Sequence, residues 1–376
     1  MSKRIMYRRK NTEGIAPSER ASIVPNAAPA VAKSSKMSAG AKLLVILLVA
    51  VAVVAAVMLT LNIIANSFFS KVNTQKPWYE EKITVKDSIA NMGVYENEKL
   101  LASVGYAEAY EKVLANYAEA SHAINASESV YNFAVYGTNN FGDATANTTS
   151  AFIMIASFNN ETKKVTYVTF AEDMLVYIPV VAKIGELRDA YEWGGSALLT
   201  KTIQHNFAVS INGYVEVNMA VAAQLVDKVG GVEVSVADAT KLNDAIESFN
   251  KQFNRTVASA SVSNGKATLN GEQALAYSKL GNAEMNAFVK ALGKAIFQSG
   301  IGGMADAFGI ITDGAKTAIT KNDFNALARI AITTLKKADA KVISVGETES
   351  VWHHEFNVVA CTSYANEIAK LDALYN

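Results

Sequence analysis

The chain has 376 residues, 50% of them hydrophobic and 19% charged, and it balances 35 basic against 35 acidic side chains. That apolar share excludes a chain disordered throughout, and a lone cysteine, Cys361, excludes a disulfide scaffold. The zero net charge hides an asymmetry: residues 1–42 hold nine Lys/Arg against two Glu, a net of +7, and the basic excess sits beside an apolar run, which argues against a nucleic-acid binder.

Residues 1–42 are rich in Ala, Ser, Pro and Lys and read as a disordered basic tail. Residues 43–66 read as a transmembrane helix. No charged side chain occurs from Leu43 to Ser70. As a helix that stretch would be roughly 42 Å long, against roughly 30 Å of hydrocarbon. Basic flanks stay in the cytoplasm. The expected localisation is therefore the cell membrane, single-pass, with a cytoplasmic N-terminus and an extracellular C-terminal domain.

Residues 67–130 are expected to form a stalk and an amphipathic helix. The stalk, 71–95, is broken at Lys76-Pro77, and apolar residues recur at helical spacing from Glu96 to about Ala123. An extracellular domain then runs over 131–376. Strands are predicted over 131–136, 151–158 and 165–170, with a hairpin turn at Asn159–Lys164. A helix over 197–206, a strand over 213–217, a helix over 219–228 and a strand over 232–236 follow. Further helices are predicted over 240–250, 271–278, 286–298 and 322–337. Strands alternating with helices give an α/β (α+β) fold, a mixed central sheet with helices on both faces.

The isolated polar residues read as structural. His353-His354 would point to opposite faces of a strand and form no metal site alone. His205 reads as a helix-end residue, Cys361 as a buried inert thiol among apolar neighbours, and Asp227 as a cap or turn residue. Gly300-Ile301-Gly302-Gly303 follows a helix and lacks Gly-Lys-Ser/Thr, so it reads as a flexible turn and not a phosphate loop.

Three motifs stand in order. They are Lys183-Ile184 with Ala190-Tyr191 and Gly194-Gly195; Leu225-Val226-Asp227-Lys228-Val229-Gly230-Gly231-Val232; and Leu269-Asn270-Gly271-Glu272-Gln273-Ala274-Leu275-Ala276-Tyr277. With the basic tail and the apolar run, residues 131–376 resemble the outer domain of the LytR–CpsA–Psr family. The resemblance implies a phosphotransferase that moves a glycopolymer from a polyprenyl pyrophosphate carrier onto peptidoglycan, with the lipid in an apolar tunnel. It implies arginines on the pyrophosphate and aspartates on Mg²⁺. Phosphoryl transfer is mostly positioning and charge neutralisation, which guanidinium forks and metal-bound carboxylates supply.

The polar positions depart from that pattern. Gly137-Thr138-Asn139 stands for G-x-D, and Thr149-Ser150-Ala151-Phe152 for R-S-D-T. Ala171-Glu172-Asp173 stands for P-R-D, which reverses the charge where a pyrophosphate would sit and keeps Asp173. Lys279 and Gly281 stand for an arginine pair, and Lys290 for one arginine of D-x-x-R-x-x-R-Q. Only Arg188, Arg255 and Arg329 follow the apolar run, none at a family active-site position. The candidate catalytic residues are Asp173, Lys279 and Lys290; the candidate substrate contacts are Asn139, Asp143 and Lys279. Mg²⁺ is implied by the family alone, with Asn139 and Asp143 as candidate ligands. The expected partners are the membrane, a polyprenyl-linked glycan and peptidoglycan. Weakened or lost catalysis is one reading; a non-catalytic module binding a polyprenyl lipid or a partner protein is the alternative, and a structural envelope protein a third.

Overall fold

The structure, a computed structural model, describes residues 77–86, 104–119, 124–142, 150–314, 316–320, 341–346, 348–353, 356–361 and 363–376. The expected tail, the transmembrane helix over 43–66, the helix over 322–337, Asp143 and His354 lie outside the described residues. Among the described residues no helix is long and apolar enough to cross a membrane.

Six strands form the central sheet: β1 (Val130–Thr138), β2 (Ser150–Asn159), β3 (Lys164–Phe170), β6 (Gly213–Asn218), β9 (Lys316–Thr317) and β10 (Lys341–Val345). Their order is β10-β3-β2-β1-β6-β9. β10 runs parallel to β3 and β6 parallel to β1, while β2 is antiparallel to both its neighbours and β9 antiparallel to β6. The sheet is therefore mixed, as expected. Three two-stranded sheets stand apart from it: β4 (Leu175–Ile178) with β5 (Lys183–Glu186), β7 (Val232–Ser235) with β8 (Lys266–Leu269), and β11 (Thr348–His353) with β12 (Phe356–Cys361).

Period-two alternation sends side chains to both faces, and helices cover each. One face carries Ala134, Tyr136, Ile153, Ile155, Val168, Phe170 and Tyr214. Against it pack α1 (Val104–Glu119), α2 (Leu187–Phe207) and α8 (Tyr364–Asp372) through Val113, Leu198, Ile203, Phe207 and Leu371. The other carries Met154, Ala156, Val165 and Tyr167. It packs on α3 (Met219–Lys228), α5 (Gly271–Ser278) and α6 (Asn282–Gln298), with α4 (Ala239–Phe253) behind them, through Val226, Leu242, Phe249, Ala274 and Phe288.

The three motifs are largely scaffold. Asp227 accepts the Gly271 N–H at 2.7 Å, tying α3 to the start of α5, as expected of a cap. Gly271 lies so close to α3 that a Cβ there would stand 2.3 Å from the Ala223 carbonyl oxygen. Gln273 donates to the Ala258 carbonyl at 2.9 Å and Tyr277 to that of Ser235 at 2.9 Å. Gly195 breaks α2 with φ 71° and ψ −166°, a conformation that needs glycine.

Several expectations change. The described part of the expected stalk, residues 77–86, lies on the domain. Trp78 is buried and its indole N–H donates to the Ile211 carbonyl at 2.8 Å. Tyr214 donates to Glu81 at 2.8 Å, and the Lys86 N–H to the Trp193 carbonyl at 3.0 Å. An indole this large is stabilised far more by burial than by solvent. Gly300–Gly303 is not a turn: it opens α7 (Gly300–Gly314). The apolar residues Ala307, Ile310 and Ile311 of that helix pack against Val217, Val221 and Leu225, which outweighs the cost of glycine in a helix. The helix expected over 197–206 is the part of α2 that follows the break at Gly194 and Gly195, and a further helical segment from Leu187 precedes the break. β7 leaves the central sheet for β8.

Candidate functional site

β1, β3, β6 and β10 run parallel, so Thr138, Phe170, Asn218 and Val345 end at one edge of the sheet. Crevices at the carboxyl ends of such strands are where α/β sheets bind ligands. The loops leaving β1 and β3 here carry Asn139–Gly142 and Ala171–Asp173.

The β1 loop is anchored from both sides. The Asn140 carbonyl accepts the Met219 N–H at 2.9 Å, and its amide donates to Thr138 Oγ1 at 3.3 Å. Phe141 then meets α4 edge-on, with ring centroids 5.8 Å from Phe249 and 5.7 Å from Phe253. Two cations stand over this cluster. The Arg255 guanidinium carbon lies 4.8 Å from the Phe141 centroid, and Lys279 Nζ 5.5 Å from that of Phe253. Arg255 also pairs with Glu272.

The β3 loop holds the opposite charge. Glu172 has a buried Oε2 with no hydrogen-bond partner. Burial pushes its carboxyl above the usual range, Arg188 and Lys279 pull it back, and Asp173 adds to the rise. The hairpin β4–β5 folds the chain back so that the Arg188 N–H donates to the Glu172 carbonyl at 2.9 Å. The Arg188 guanidinium pairs with Glu186, whose carboxyl burial pushes up to about 7. Asp189 accepts the Glu186 N–H at 2.8 Å.

Of the expected site residues, Asp173 and Lys279 thus meet around Glu172. Asn139 lies in the β1 loop at the same edge. Lys290 lies elsewhere on its helix. Asn286 of α6 accepts from Thr169 at 2.8 Å and donates to Ser344 at 2.7 Å, level with the site. Gly293 lies beside Tyr167, further down β3, so α6 descends from the edge. Lys290 is four residues, roughly 6 Å, below Asn286, and it does not figure among the charges acting on Glu172.

Arg188 and Arg255 are the residues that sequence reasoning missed. Arg188 opens α2 and Arg255 follows α4, so hydrophobic periodicity announces neither. Arg188 is brought in by a hairpin with no Asn-Gly or Asp-Gly signal, and Arg255 by the irregular loop after α4.

Without Asp143, which lies outside the described residues, the donor set does not fit Mg²⁺. Among the described residues no three His, Cys, Asp or Glu side chains gather as a cation cage. Asn139 brings an amide where a carboxylate is wanted. No step below is routed through a metal.

Residues 102–351, well over half of the chain, match the model of the LytR_cpsA_psr family. The chain belongs to the LytR–CpsA–Psr family. Over 127 residues it is 35% identical to the polyisoprenyl-teichoic acid–peptidoglycan teichoic acid transferase TagU of Enterococcus faecalis, covering 34% of this chain and 37% of that protein. The match thus spans little over a third of that relative's length. Among solved structures, protein gbs0355 of Streptococcus agalactiae superposes with a TM-score of 0.53 at 17% identity, over 65% of this chain and 88% of that one. TagT bound to LI-WTA superposes at 0.50 and 18% identity, over 66% and 90%. These two show the LytR–CpsA–Psr fold. The family match begins at residue 102, and Val113 of α1 lies in the core.

The remaining singled-out residues are structural in place. His205 lies in the last turn of α2 with its ring 5.7 Å from that of Tyr177. Cys361 is buried, and burial pushes its thiol up to about 12. His353 ends β11.

Proposed function

We propose that this protein is a single-pass protein of the cell membrane, its domain on the outer side, that engages a polyprenyl-pyrophosphate-linked glycopolymer with weakened transfer to peptidoglycan. The name of the Enterococcus faecalis relative and the ligand of TagT support the substrate class. The uncharged run 43–70 behind a basic tail supports the anchor.

The observation that carries the weakening is Glu172. It stands at the carboxyl end of β3, where the family motif has arginine, and its buried Oε2 has no partner. An anion approaching this edge meets a carboxyl beside Asp173, countered by Lys279 and by an Arg188 already paired with Glu186. Each lost charged hydrogen bond costs roughly 1.5–3 kcal/mol, so the loss of a few lowers affinity by orders of magnitude. The same charge exchange supports a second reading, a lipid-binding module without turnover.

The test is transfer by the detergent-solubilised full chain, given lipid-linked glycopolymer, peptidoglycan and Mg²⁺. Slow transfer that Asp173→Ala abolishes supports the enzyme. Lipid retained with no transfer supports the binding module. Transfer as fast as by an arginine-bearing relative contradicts the weakening.

A further inference from the structure

We propose that Arg255 and Lys279, mounted on the Phe141–Phe253 ring pair, form a phosphate-binding pair. The inference rests on the reading that the substrate carries a pyrophosphate.

Glu172 and Asp173 crowd the β3 loop, while the β1 loop presents Phe141 and, through it, α4. Phe141 and Phe253 lie 5.7 Å apart, and each carries a cation over its face, Arg255 at 4.8 Å and Lys279 at 5.5 Å. A phenyl ring holds a cation through its quadrupole without neutralising it. Lys279 is exposed, and the Arg255 side chain is 42% exposed. Glu272 engages one terminal nitrogen of Arg255, and a guanidinium has five N–H donors in a fixed fork. Arg255 can therefore hold Glu272 and still offer N–H groups to a phosphate oxygen, with the bidentate geometry that Lys279 lacks. In this way a guanidinium returns to the site from a loop that carries none of the family motifs.

The source of the phosphate is distinguished by two ligands, inorganic pyrophosphate and detergent-solubilised undecaprenyl pyrophosphate, titrated into the full chain. Arg255→Ala, at an exposed position, is expected to weaken both by about ten-fold or more. Arg255→Lys is expected to recover only part of the loss, and Phe141→Leu to weaken both while leaving the thermal midpoint within a few degrees. Unchanged affinities in Arg255→Ala with lipid binding intact overturn the subsite and leave the carrier reading standing. Arg255-dependent binding of inorganic pyrophosphate with no binding of the lipid supports the subsite and overturns the carrier reading. Absence of binding by either ligand to the unaltered chain overturns both.

Discussion

The backbone N–H of Arg188 donates to the carbonyl of Glu172 at 2.9 Å. That bond closes the β4–β5 excursion on itself, and it places the Arg188 guanidinium next to the buried Glu186 carboxyl and the half-buried Glu172. Arg188 pairs with Glu186, and the same charge favours the ionised form of Glu172. It is thus a counter-ion to both carboxyls.

Removing it should be costly for the fold. Arg188→Ala leaves Glu186 buried without its cation, and the partial exposure of Arg188 keeps the effect below that of a fully buried pair. A loss of about 1–2 kcal/mol is expected, read as a lower denaturant midpoint. Arg188→Ala combined with Glu186→Gln should recover most of it.

Stability should depend on pH through Glu186. Its folded carboxyl titrates at about 7, above the ordinary value of 4.5. Below about 4.5 the group is protonated in both states and its contribution is complete. As pH rises toward 7 the unfolded chain releases the proton first, so stability falls over that window. Glu172, also raised, acts in the same direction. Thermal midpoints measured across the window should decline, and Glu186→Gln should flatten the decline. A midpoint that climbs from about pH 5 to 7 and keeps its slope in the variant contradicts this.

Trp78 tests whether the segment before the helix α1 belongs to the folded domain. Its buried ring and its bond to the Ile211 carbonyl make Trp78→Ala a cavity mutation, expected to cost about 3–5 kcal/mol. A freely hanging stalk would lose less than about 0.5 kcal/mol on the same substitution.

Gly271→Ala measures how tightly α3 and α5 approach. The added methyl would fall 2.3 Å from the Ala223 oxygen, so the helices must separate. A loss of about 1–3 kcal/mol is expected from overpacking, although alanine is the better helix former. A stabilised variant would show that the helices part without cost.

Much of this architecture was legible in the sequence because it follows short-range rules. β1 to β3 are short, largely apolar runs, and a clear turn joins β2 to β3, which Asn159 fixes by accepting the N–H groups of Glu161 and Thr162. Asp227 and Gly271 announce themselves through motifs whose reason is close packing. Of the cations at the site, Lys279 was legible and Arg188 and Arg255 were not. Arg188 reaches Glu172 through a four-residue strand pair, and Arg255 reaches Phe141 across more than a hundred residues. The apolar, glycine-containing stretch that opens α7 looked like a turn, because its apolar face gains stability only against α3 and β6. The identity of Glu172 was plain from position; its burial without a partner was not.

The central claim is that Glu172 repels the carrier's head group. The most direct test compares the affinity of the full chain and of Glu172→Gln for undecaprenyl pyrophosphate as the pH is varied. Glu172→Gln is expected to bind about ten-fold tighter where the carboxyl is ionised, and the advantage is expected to shrink as the pH is lowered and Glu172, its carboxyl raised by burial, takes up its proton. Equal or weaker binding by Glu172→Gln at every pH would contradict it.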